Sequence, residues 1–380
     1  MSPRGLLVNE AKYTVLDNGD VVFRYIHPDD RSAFEVEIRC PLTSRLHERH
    51  AEILERHRAW ARRFQIPPSE ESFQRYCDTR FDLLAAYQYA GQPLDAAVVH
   101  SHLMTWFFVF DDIMDMDHGQ DEELKTFRTE LCKRHLEILG GAAAGDGDTR
   151  CIRAFSDFLA QVKALSGPEF TFWYERMLRH LKEYVLGAYW ESVIGPTTDA
   201  NANTALYLQV RHMAVGVAPC IDLMALGAGI PTSPFADNDY ILRMERMAIN
   251  YSIWVNDLAG LNRDLRRGLG NVIFTLQRDH ALSLVDATRM VGRMCDAELI
   301  AFLQMEKQLP LLLGREFERN RAEYEAYIAV MKRWMRGLLD WSARSDRYQR
   351  LDVDMALQNK TLIQRTSKAL QKTGESGSAS

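Results

Sequence analysis

Apolar residues recur every three to four positions through most of this chain. This spacing is typical of α-helices and restricts the fold to classes that are mainly helical. Leu46, Ile53, Trp60 and Phe64 mark the first such stripe, with Thr43/Ser44 as the candidate N-cap. Glycine and proline divide the later helical stretches at Gly91/Pro93, 140–149, Gly167-Pro168, Gly195-Pro196, Pro231/Pro234 and Gly268/Gly270. Because strands do not alternate with these helices, a doubly wound sheet is disfavoured and the sequence predicts an all-α fold.

The first part of the chain follows a different period. Residues 12–25 alternate apolar and polar side chains around the turn sequence Asp17-Asn18-Gly19, which is a strong β-hairpin signal. The last residues, 367–380, are rich in serine and glycine and lack apolar periodicity. We therefore expect an N-terminal extension with a small hairpin over 1–40, a helical domain over 41–366 and a disordered tail over 367–380.

Charge and cysteine content exclude several classes of protein. The chain of 380 residues has 46 basic and 52 acidic side chains and a formal net charge of −6, whereas proteins that bind nucleic acid through phosphate contacts are usually basic. Hydrophobic residues make up 47% of it, which is enough for a large core. Its six cysteines are too far apart for a C-x-x-C pair and too few for a disulfide scaffold, so we expect reduced, buried thiols.

Two features bear on export and on membranes. The first ten residues contain no apolar run long enough for the core of a signal peptide. The most apolar stretch, 214–230, contains Asp222, Pro219 and three glycines, and it is shorter than the roughly 20 residues of a membrane span. We therefore expect no membrane span, no nucleic-acid partner and a cytoplasmic location.

The first candidate for chemistry is an aromatic run, WFFVF, that ends in the acidic sequence DDIMD. On a helix, Asp111 and Asp115 are one turn apart, so their carboxylates lie on one face. Two such carboxylates attract a hard cation such as Mg²⁺, whose remaining ligands are often phosphate oxygens. The alternative is a solvated acidic helix end, but the large apolar residues before it indicate a buried helix. A magnesium-diphosphate site is therefore a hypothesis at this point, and taken alone this motif leaves the solvated helix end as the alternative.

A second polar stripe interrupts the apolar helix YSIWVNDLAGLNRDLRRG. Asn256, Gly260 and Asp264 follow one another at four-residue spacing and so share one helix face. The amide and carboxylate oxygens of this stripe are suitable ligands for another hard cation. The alternative is an exposed polar stripe, with Asp257 paired to a neighbouring arginine.

Together the two stripes resemble the metal-binding motifs of the class I terpene synthases, the magnesium-dependent cyclases with an all-α fold. The aspartate-rich motif DDxxD of that family is similar to the sequence from Asp111 to Asp115. Its second motif, an Asn-Asp pair followed by Ser, Thr or sometimes Gly and then by Glu, is similar to Asn256-Asp257 with Gly260 and Asp264. Two differences affect the site of a third metal, because Gly260 lacks a hydroxyl group and Asp264 is one methylene shorter than glutamate.

A further match follows the bacterial branch of the family. Arg211 lies 45 residues before Asn256, where the family has an arginine that senses the diphosphate. The sequence RHMAVGVAP then supplies Gly216 and Pro219 for the helix break that follows this arginine in the family. The spacing therefore extends the resemblance beyond the two metal-binding motifs.

The C-terminal part of the chain also agrees with the family pattern. Arg347-Tyr348 is similar to the family's Arg-Tyr pair, and Trp341 lies where an active-site tryptophan is often found. The resemblance spans about Pro41 to Arg350. It implies a single-domain class I terpenoid synthase fold, which is an antiparallel helical bundle around a central active-site cavity.

The resemblance implies roles for individual residues around a metal-bound diphosphate. Asp111 with Asp115 is expected to bind two Mg²⁺ ions, and Asn256 with Asp264 a third, a water molecule replacing the missing hydroxyl at Gly260. The side chains expected to bind the diphosphate are Arg211, Arg263, Arg347 and Tyr348. Metal ions and arginines of this kind promote ionisation by stabilising the charge on the leaving group.

The rest of the implied cavity must be apolar, because water would capture the carbocation. Aromatic rings suit such a wall, since their faces attract cations. The candidate wall residues are Phe107, Phe108, Trp341, Tyr87 and Trp190. The alternative for each of these rings is ordinary core packing.

The implied activity is that of a carbon-oxygen lyase. An isoprenoid diphosphate ionises, diphosphate is released, and the carbocation cyclises to a terpene hydrocarbon or alcohol. A chain of this size without additional α domains favours farnesyl diphosphate, with geranylgeranyl diphosphate as the main alternative. We expect a monomer or a homodimer.

Two other functions stay open as alternatives. Prenyl chain elongation is disfavoured because such enzymes have a second DDxxD, whereas this chain has Asn256-Asp257 with Gly260 and Asp264. A non-catalytic helical protein that binds isoprenoids would result if the changes at Gly260 and Asp264 disabled the third metal. Release of diphosphate with Mg²⁺ separates this binding protein from an enzyme.

Overall fold

The computed structural model describes residues 12–67, 69–115, 122–194, 203–231 and 238–349. Within these ranges the fold is all-α with one small β-sheet near the N-terminus, as the sequence predicts. The expected tail over 367–380 and the expected breaks at Gly195-Pro196 and Pro234 lie outside the described residues.

The N-terminal hairpin is confirmed, and a third strand joins it. β1 (Lys12–Val15), β2 (Val21–Ile26) and β3 (Ala33–Ile38) form an antiparallel sheet in the order β1-β2-β3. The first turn has Gly19 at a φ of 92°, a conformation that favours glycine. The hairpin prediction omitted β3, although its side chains alternate between exposed and buried, as expected of a half-buried strand.

Helices make up most of the remaining described chain. Up to residue 194 they are α1 (His50–Arg63), α2 (Glu70–Asp78), α3 (Phe81–Gln88), α4 (Leu94–Met114), α5 (Glu122–Leu139), α6 (Arg150–Leu165) and α7 (Thr171–Ile194), with a 3-10 turn at Pro168–Phe170. Beyond that they are α8 (Thr204–Ala214), α9 (Val217–Gly227), α10 (Asp239–Arg267), α11 (Val272–His280), α12 (Leu284–Leu313), α13 (Arg315–Arg319), α14 (Arg321–Arg344) and α15 (Asp346–Gln349).

The predicted N-cap at Thr43/Ser44 is wrong, because α1 begins at His50. The residues before it are held by a tertiary contact instead. The backbone N–H of His47 donates to the carbonyl oxygen of Ala86 at 2.9 Å, and the His47 ring accepts from the backbone N–H of Arg49 at 3.0 Å. The contact with α3 and the turn that follows it at residues 48–49 delay the start of the helix to His50.

Several other helices begin where the sequence places a capping side chain. In each case a side-chain oxygen accepts a hydrogen bond from a backbone N–H of the first turn, which satisfies a donor that the helix itself leaves free. The capping residues are Ser69 for α2, Thr149 for α6, Asn203 for α8, Asn238 for α10, Asn271 for α11 and Ser283 for α12.

Two long helices form the centre of the antiparallel bundle. α4 is buried along nearly its whole length and packs against α1, α3, α6 and α9, as expected of a helix that is apolar on every side. α10 packs against α12 and α14, and α7 packs against α8 and α9. The apolar run before the first acidic stripe therefore lies in the core, as the sequence predicts.

The structure has a helix break between α8 and α9 at Gly216, as the sequence predicts. This glycine has a φ of 69°, and a Cβ atom built on it would lie 3.2 Å from the ring of Phe107. Both the conformation and the close contact favour glycine. Pro219 then occupies the first turn of α9, where a proline is tolerated.

One described stretch, Thr204–Gly227, is long and apolar enough to cross a membrane by length and composition alone. It comprises α8, the Gly216 break and α9. Because 67% of its most apolar window is buried inside the protein, the stretch has the properties of a core helix pair and is weak evidence for a span.

We expect Gly216→Ala to lower the free energy of unfolding by about 2–3 kcal/mol, because alanine resists this conformation and its methyl group presses on Phe107. The matched control is Gly229→Ala, where φ is 66° and the space around the Cβ position is open. That control should lose only about 1 kcal/mol. Urea denaturation followed by circular dichroism measures both losses, and equal losses would show that the Phe107 contact is unimportant.

Candidate active site

A cavity lies between α3, α4, α7, the α8–α9 break, α10, α14 and α15. Its empty space, including the opening to solvent, is about 1000 Å³. Its charged and amide-bearing lining residues are Asp111, Asp115, Glu191, Arg211, Asn256, Arg263, Asp264 and Arg347, with the hydroxyl of Tyr348 beside them. The two stripes that the sequence singles out, on α4 and α10, therefore meet at one chamber.

The first stripe forms a cluster of carboxylates at the end of α4. Asp111, Asp112 and Asp115 each place a carboxylate oxygen within 4.8 Å of the others. Burial, together with the nearby charge of Asp115, raises the pKa of Asp111 to about 6. Such a group of hard oxygen ligands is suited to a divalent cation, which would relieve the repulsion between the carboxylates.

Asp112 is the most buried member of this cluster, with 1% of its surface exposed. Its carboxylate accepts hydrogen bonds from Arg347 at 3.0 and 3.3 Å and from Arg263 at 3.1 Å. Burial alone would raise the pKa of Asp112, but the two guanidinium groups outweigh it and hold the pKa below its usual value. Arg263 also donates to Asp115 at 3.0 Å, so one arginine bridges two members of the acidic motif.

On the second stripe, Asn256 forms hydrogen bonds with two of the residues that are expected to bind the diphosphate. Its side-chain oxygen accepts from Arg211 at 2.6 Å, and its amide nitrogen donates to the Tyr348 hydroxyl at 3.1 Å. The four side chains Arg211, Asn256, Arg347 and Tyr348 thus border the same cavity. Helices far apart in the sequence supply them, namely α8, α10 and α15.

The alternative interpretation of α10 as an exposed polar stripe is wrong. Asp257 does pair with an arginine, Arg211, at 3.3 Å, but it is 1% exposed. Its carboxylate also accepts from the hydroxyl of Tyr207 at 2.7 Å and from the backbone N–H of Val272 at 2.9 Å. These bonds satisfy a buried charge that an exposed stripe would leave to water.

Gly260 and Asp264 fit each other closely. A Cβ atom on residue 260 would lie 2.9 Å from a carboxylate oxygen of Asp264, so the glycine provides room for the shorter acid to lie against the helix. The side-chain amide of Asn271 donates to Asp264 at 2.8 Å and to the Asp257 carbonyl oxygen at 2.9 Å. Burial raises the pKa of Asp264 to about 7.

Glu191 on α7 is a cavity residue that the sequence prediction omitted. Its carboxylate lies 3.7 Å from the guanidinium of Arg211. Burial raises the pKa of Glu191 to about 8, although Arg211 opposes this shift. The ring of Tyr184 borders the same cavity, because residues seven apart share one face of a helix.

The apolar part of the wall includes two of the five predicted rings, Phe107 and Phe108. Trp341 lies behind Phe108, with 5.2 Å between the ring centroids, and is fully buried. Its indole N–H donates to the backbone carbonyl of Thr79 at 3.0 Å. Trp341 therefore packs behind the cavity wall and supports it. The prediction that this tryptophan lines the cavity is wrong.

The structure contradicts the other two predicted wall residues. Tyr87 borders a separate groove between α3, α12 and α14, where Arg344 lies over its ring at 5.5 Å. Trp190 is 41% exposed on the outer face of α7. The apolar lining that the sequence prediction omitted includes Leu84, Met104, Tyr184, Trp334 and Leu338.

Some of the omitted polar residues have a signal in the sequence. Asp112 is part of the DDxxD motif, and Asn271 precedes the apolar run VIF as an N-cap does. Glu191 stands in the helical sequence YWESVI without any comparable signal. Its place beside Arg211 results from the packing of α7 against α8, which a single sequence does not reveal.

This combination of an all-α fold with an aspartate-rich helix end, a second polar stripe and converging arginines is that of a class I terpene synthase. The family model described as terpene synthase family 2, C-terminal metal binding, matches residues 102–299, just over half of the chain. The chain belongs to this family.

Bacterial relatives agree with this assignment. Germacrene A synthase of Nostoc punctiforme is 26% identical over 323 residues, which cover 82% of this chain and 94% of that protein. Pentalenene synthase of Streptomyces exfoliatus is 28% identical over 340 residues, which cover 85% and 94%. The fold is shared with linalool/nerolidol synthase from Streptomyces clavuligerus, with a TM-score of 0.68, 22% identity, and coverage of 79% of this chain and 98% of that chain. These relationships support terpene cyclase activity on an isoprenoid diphosphate.

The raised pKa of Asp264 predicts a stability change with pH. Between about pH 4 and pH 7 the folded protein binds more protons at this carboxyl group than the unfolded chain does, so stability falls as the pH rises through this window. Asp264→Asn cannot ionise. With metal removed by EDTA, we expect this variant to match the native protein at pH 4 and to exceed its stability at pH 8 by about 2–4 kcal/mol.

The control for this experiment is Asp239→Asn, which changes an exposed acid in the first turn of the same helix. Because the helix dipole favours a negative charge in the first turn, this control should gain no stability over the native protein at pH 8. Thermal unfolding at pH 4, 6 and 8 measures both differences. A constant difference for Asp264→Asn would show that this carboxyl group ionises as freely when folded as when unfolded.

Proposed function

We propose that this protein is a Mg²⁺-dependent terpene cyclase that ionises farnesyl diphosphate and cyclises the resulting carbocation to a terpene hydrocarbon or alcohol. The observation that carries the proposal is the meeting of Asp111 and Asp115 with Asn256 and Asp264 at one cavity. Family membership supports the reaction class. The substrate, the metal and the role of each residue are the proposed parts.

The donor set fits divalent metal ions. Asp111 and Asp115 would hold two Mg²⁺ ions, and Asn256 with Asp264 would hold a third, with water in place of a side-chain ligand at Gly260. The raised pKa values of Asp111 and Asp264 support this assignment, because burial disfavours the ionised carboxylates more than the nearby arginines stabilise them. When bound, the metal ions would neutralise the charge that develops on the leaving diphosphate.

The arginines would bind the diphosphate oxygens from several sides. Arg211, Arg263 and Arg347 line the cavity, and each presents a planar group suited to paired hydrogen bonds with phosphate. At present all three are bonded to the acidic and amide side chains of the two stripes. Binding would exchange these partners for diphosphate oxygens, with the Tyr348 hydroxyl as a further donor.

The apolar wall would protect the carbocation once diphosphate has left. Phe107 and Phe108 border the cavity, and their faces would stabilise positive charge by about 2 kcal/mol where water is excluded. Arg347 already lies over the Phe108 ring, 4.5 Å from its centroid, so this ring face accommodates a cation. Water exclusion favours cyclisation over early capture.

We also propose the wider setting of the enzyme. The helical domain would extend over 41–366, preceded by the extension over 1–40, and would act as a monomer or homodimer in the cytoplasm. All six cysteines are free and buried, which agrees with reduced thiols and with such a compartment. Size-exclusion chromatography with light scattering tests the oligomeric state.

Asp111→Asn should lower the rate of product formation about 100-fold or more, because the amide cannot replace a charged metal ligand. Its fold should remain intact, since the substitution removes a charge that burial disfavours. The control is Asp95→Asn, an exposed acid in the first turn of the same helix, which should retain full activity. Turnover is measured as diphosphate release with Mg²⁺, and an unchanged rate for Asp111→Asn would contradict the metal assignment.

Separate incubation with C10, C15 and C20 diphosphates and Mg²⁺ tests the substrate. We expect the C15 diphosphate to give the main cyclic product, identified by mass spectrometry of the volatile fraction. A product only from the C20 substrate would identify a diterpene cyclase. Incorporation of isopentenyl diphosphate would identify chain elongation, and binding without release of diphosphate would identify a non-catalytic protein.

A further inference from the structure

The three-stranded sheet presents its buried face to the back of the metal-binding helix α10. Tyr13 on β1 and Phe23 and Tyr25 on β2 are buried on this face. Their rings pack together, with 4.7 Å between the centroids of Tyr13 and Phe23. Phe34 on β3 stacks on Tyr25 at 5.2 Å. The sheet thus holds both tyrosines in fixed positions.

The two phenol groups reach the backbone of α10. The hydroxyl of Tyr13 donates to the carbonyl oxygen of Ala259 at 2.9 Å, and that of Tyr25 donates to the carbonyl oxygen of Leu258 at 2.8 Å. A carbonyl oxygen has two lone pairs, so each phenol adds to the hydrogen bond within the helix. Burial raises the pKa of both tyrosines, which keeps them as donors.

Along α10 these carbonyl groups lie between Asn256 and Gly260, two residues of the second stripe. Glycine weakens a helix interior, because it gains conformational freedom when the helix opens. The phenols therefore add hydrogen bonds to the backbone immediately before the least stable residue of the stripe.

The sheet is fixed to two other helices as well. Arg336 on α14 donates to the carbonyl oxygen of Gly19 at 2.6 Å and is paired with Asp340 at 2.7 Å. The backbone N–H of Arg39 donates to Asp296 on α12 at 3.0 Å. The sheet therefore connects α10 to α12 and α14, and a shift of α10 would require these contacts to change.

We infer that Tyr13 and Tyr25 are positioning residues, whose phenol groups hold the α10 backbone so that Asn256 and Asp264 keep the spacing needed for a cation and diphosphate. This inference rests on the metal assignment in the proposed function. Neither tyrosine borders the cavity, so both act through the helix. The N-terminal sheet is accordingly part of the active-site structure and not a separate module.

The test uses the full chain with Tyr13→Phe and Tyr25→Phe, singly and combined. Phenylalanine keeps the ring packing, and each carbonyl keeps its helical hydrogen bond, so the variants should fold. The matched control is Tyr324→Phe, which removes a buried tyrosine's hydrogen bond to Glu316, of 2.6 Å, far along α14 from the cavity. Should the double variant fail to fold, the two single variants give the same comparison.

Two readouts separate positioning from general stability. The first is the rise in melting temperature caused by MgCl₂ with inorganic diphosphate, which needs no turnover. The second is the Mg²⁺ concentration for half-maximal activity, measured apart from kcat at saturating Mg²⁺. For the double variant we expect the ligand-induced rise to shrink and the half-activating concentration to increase about five- to tenfold. This factor corresponds to about one hydrogen bond, and we expect it in place of the factor for two because the lost bonds act on the metal ligands only through the helix. The control should change neither, and kcat should recover at saturating Mg²⁺.

Unchanged Mg²⁺ dependence in the double variant of an active enzyme would overturn the inference and leave the proposed function in place. Equal changes in the Tyr324→Phe control would also overturn it, because the effect would then be one of general stability. If the native protein neither releases diphosphate nor responds to MgCl₂ with diphosphate, the proposed function itself fails, and the positioning role fails with it.

Discussion

The ion pairs of Asp112 with Arg263 and Arg347 are the contacts on which the rest of the site depends. They join the end of α4 to α10 and α15, three elements that are distant in sequence. Removing Asp112 would take from the buried guanidinium of Arg347 its main partner, and an uncompensated buried charge typically costs about 3–5 kcal/mol. The pairing therefore fixes both guanidinium groups at the rim of the acidic cluster. Asp111 and Asp115 consequently face the cavity beside the groups proposed to bind the diphosphate.

The site as a whole carries more acidic than basic groups among the described residues. The carboxyl groups around the cavity are those of Asp111, Asp112, Asp115, Glu191, Asp257 and Asp264, and the guanidinium groups are those of Arg211, Arg263, Arg267 and Arg347. Burial prevents water from stabilising the excess charge, which is why the pKa values of Asp111, Glu191 and Asp264 are raised. Divalent cations would bind the carboxylates, and a diphosphate would bind the guanidinium groups. The arrangement is therefore complementary to a metal-diphosphate complex and not to either part alone.

The sequence predicts which residues share one face of a helix, because this depends only on their spacing. It does not predict the contacts that depend on how the helices pack together. Spacing along one helix placed Asp111 with Asp115 and Asn256 with Asp264, and the structure brings both pairs to one cavity. The presence of an aromatic residue in the sequence does not show whether it lines the cavity, because this depends on which side of α3, α7 and α14 faces inward. Trp341 is in the second layer and Trp190 faces outward for this reason. The start of α1 was missed because a tertiary contact of His47 overrides helical propensity there.

The two faces of α10 explain why a small sheet belongs to a helical enzyme. One face carries the polar side chains that we propose as metal ligands, and it includes a glycine, which reduces the apolar contact and the intrinsic stability of the helix there. Leu258 and Ala259, which follow Asn256 along the helix, are buried, and their carbonyl oxygens accept hydrogen bonds from the hydroxyls of Tyr25 and Tyr13. A polar stripe that contains a glycine is thus supported from outside the helical bundle. In this chain the N-terminal sheet supplies that support, because it is bonded to α10, α12 and α14 together.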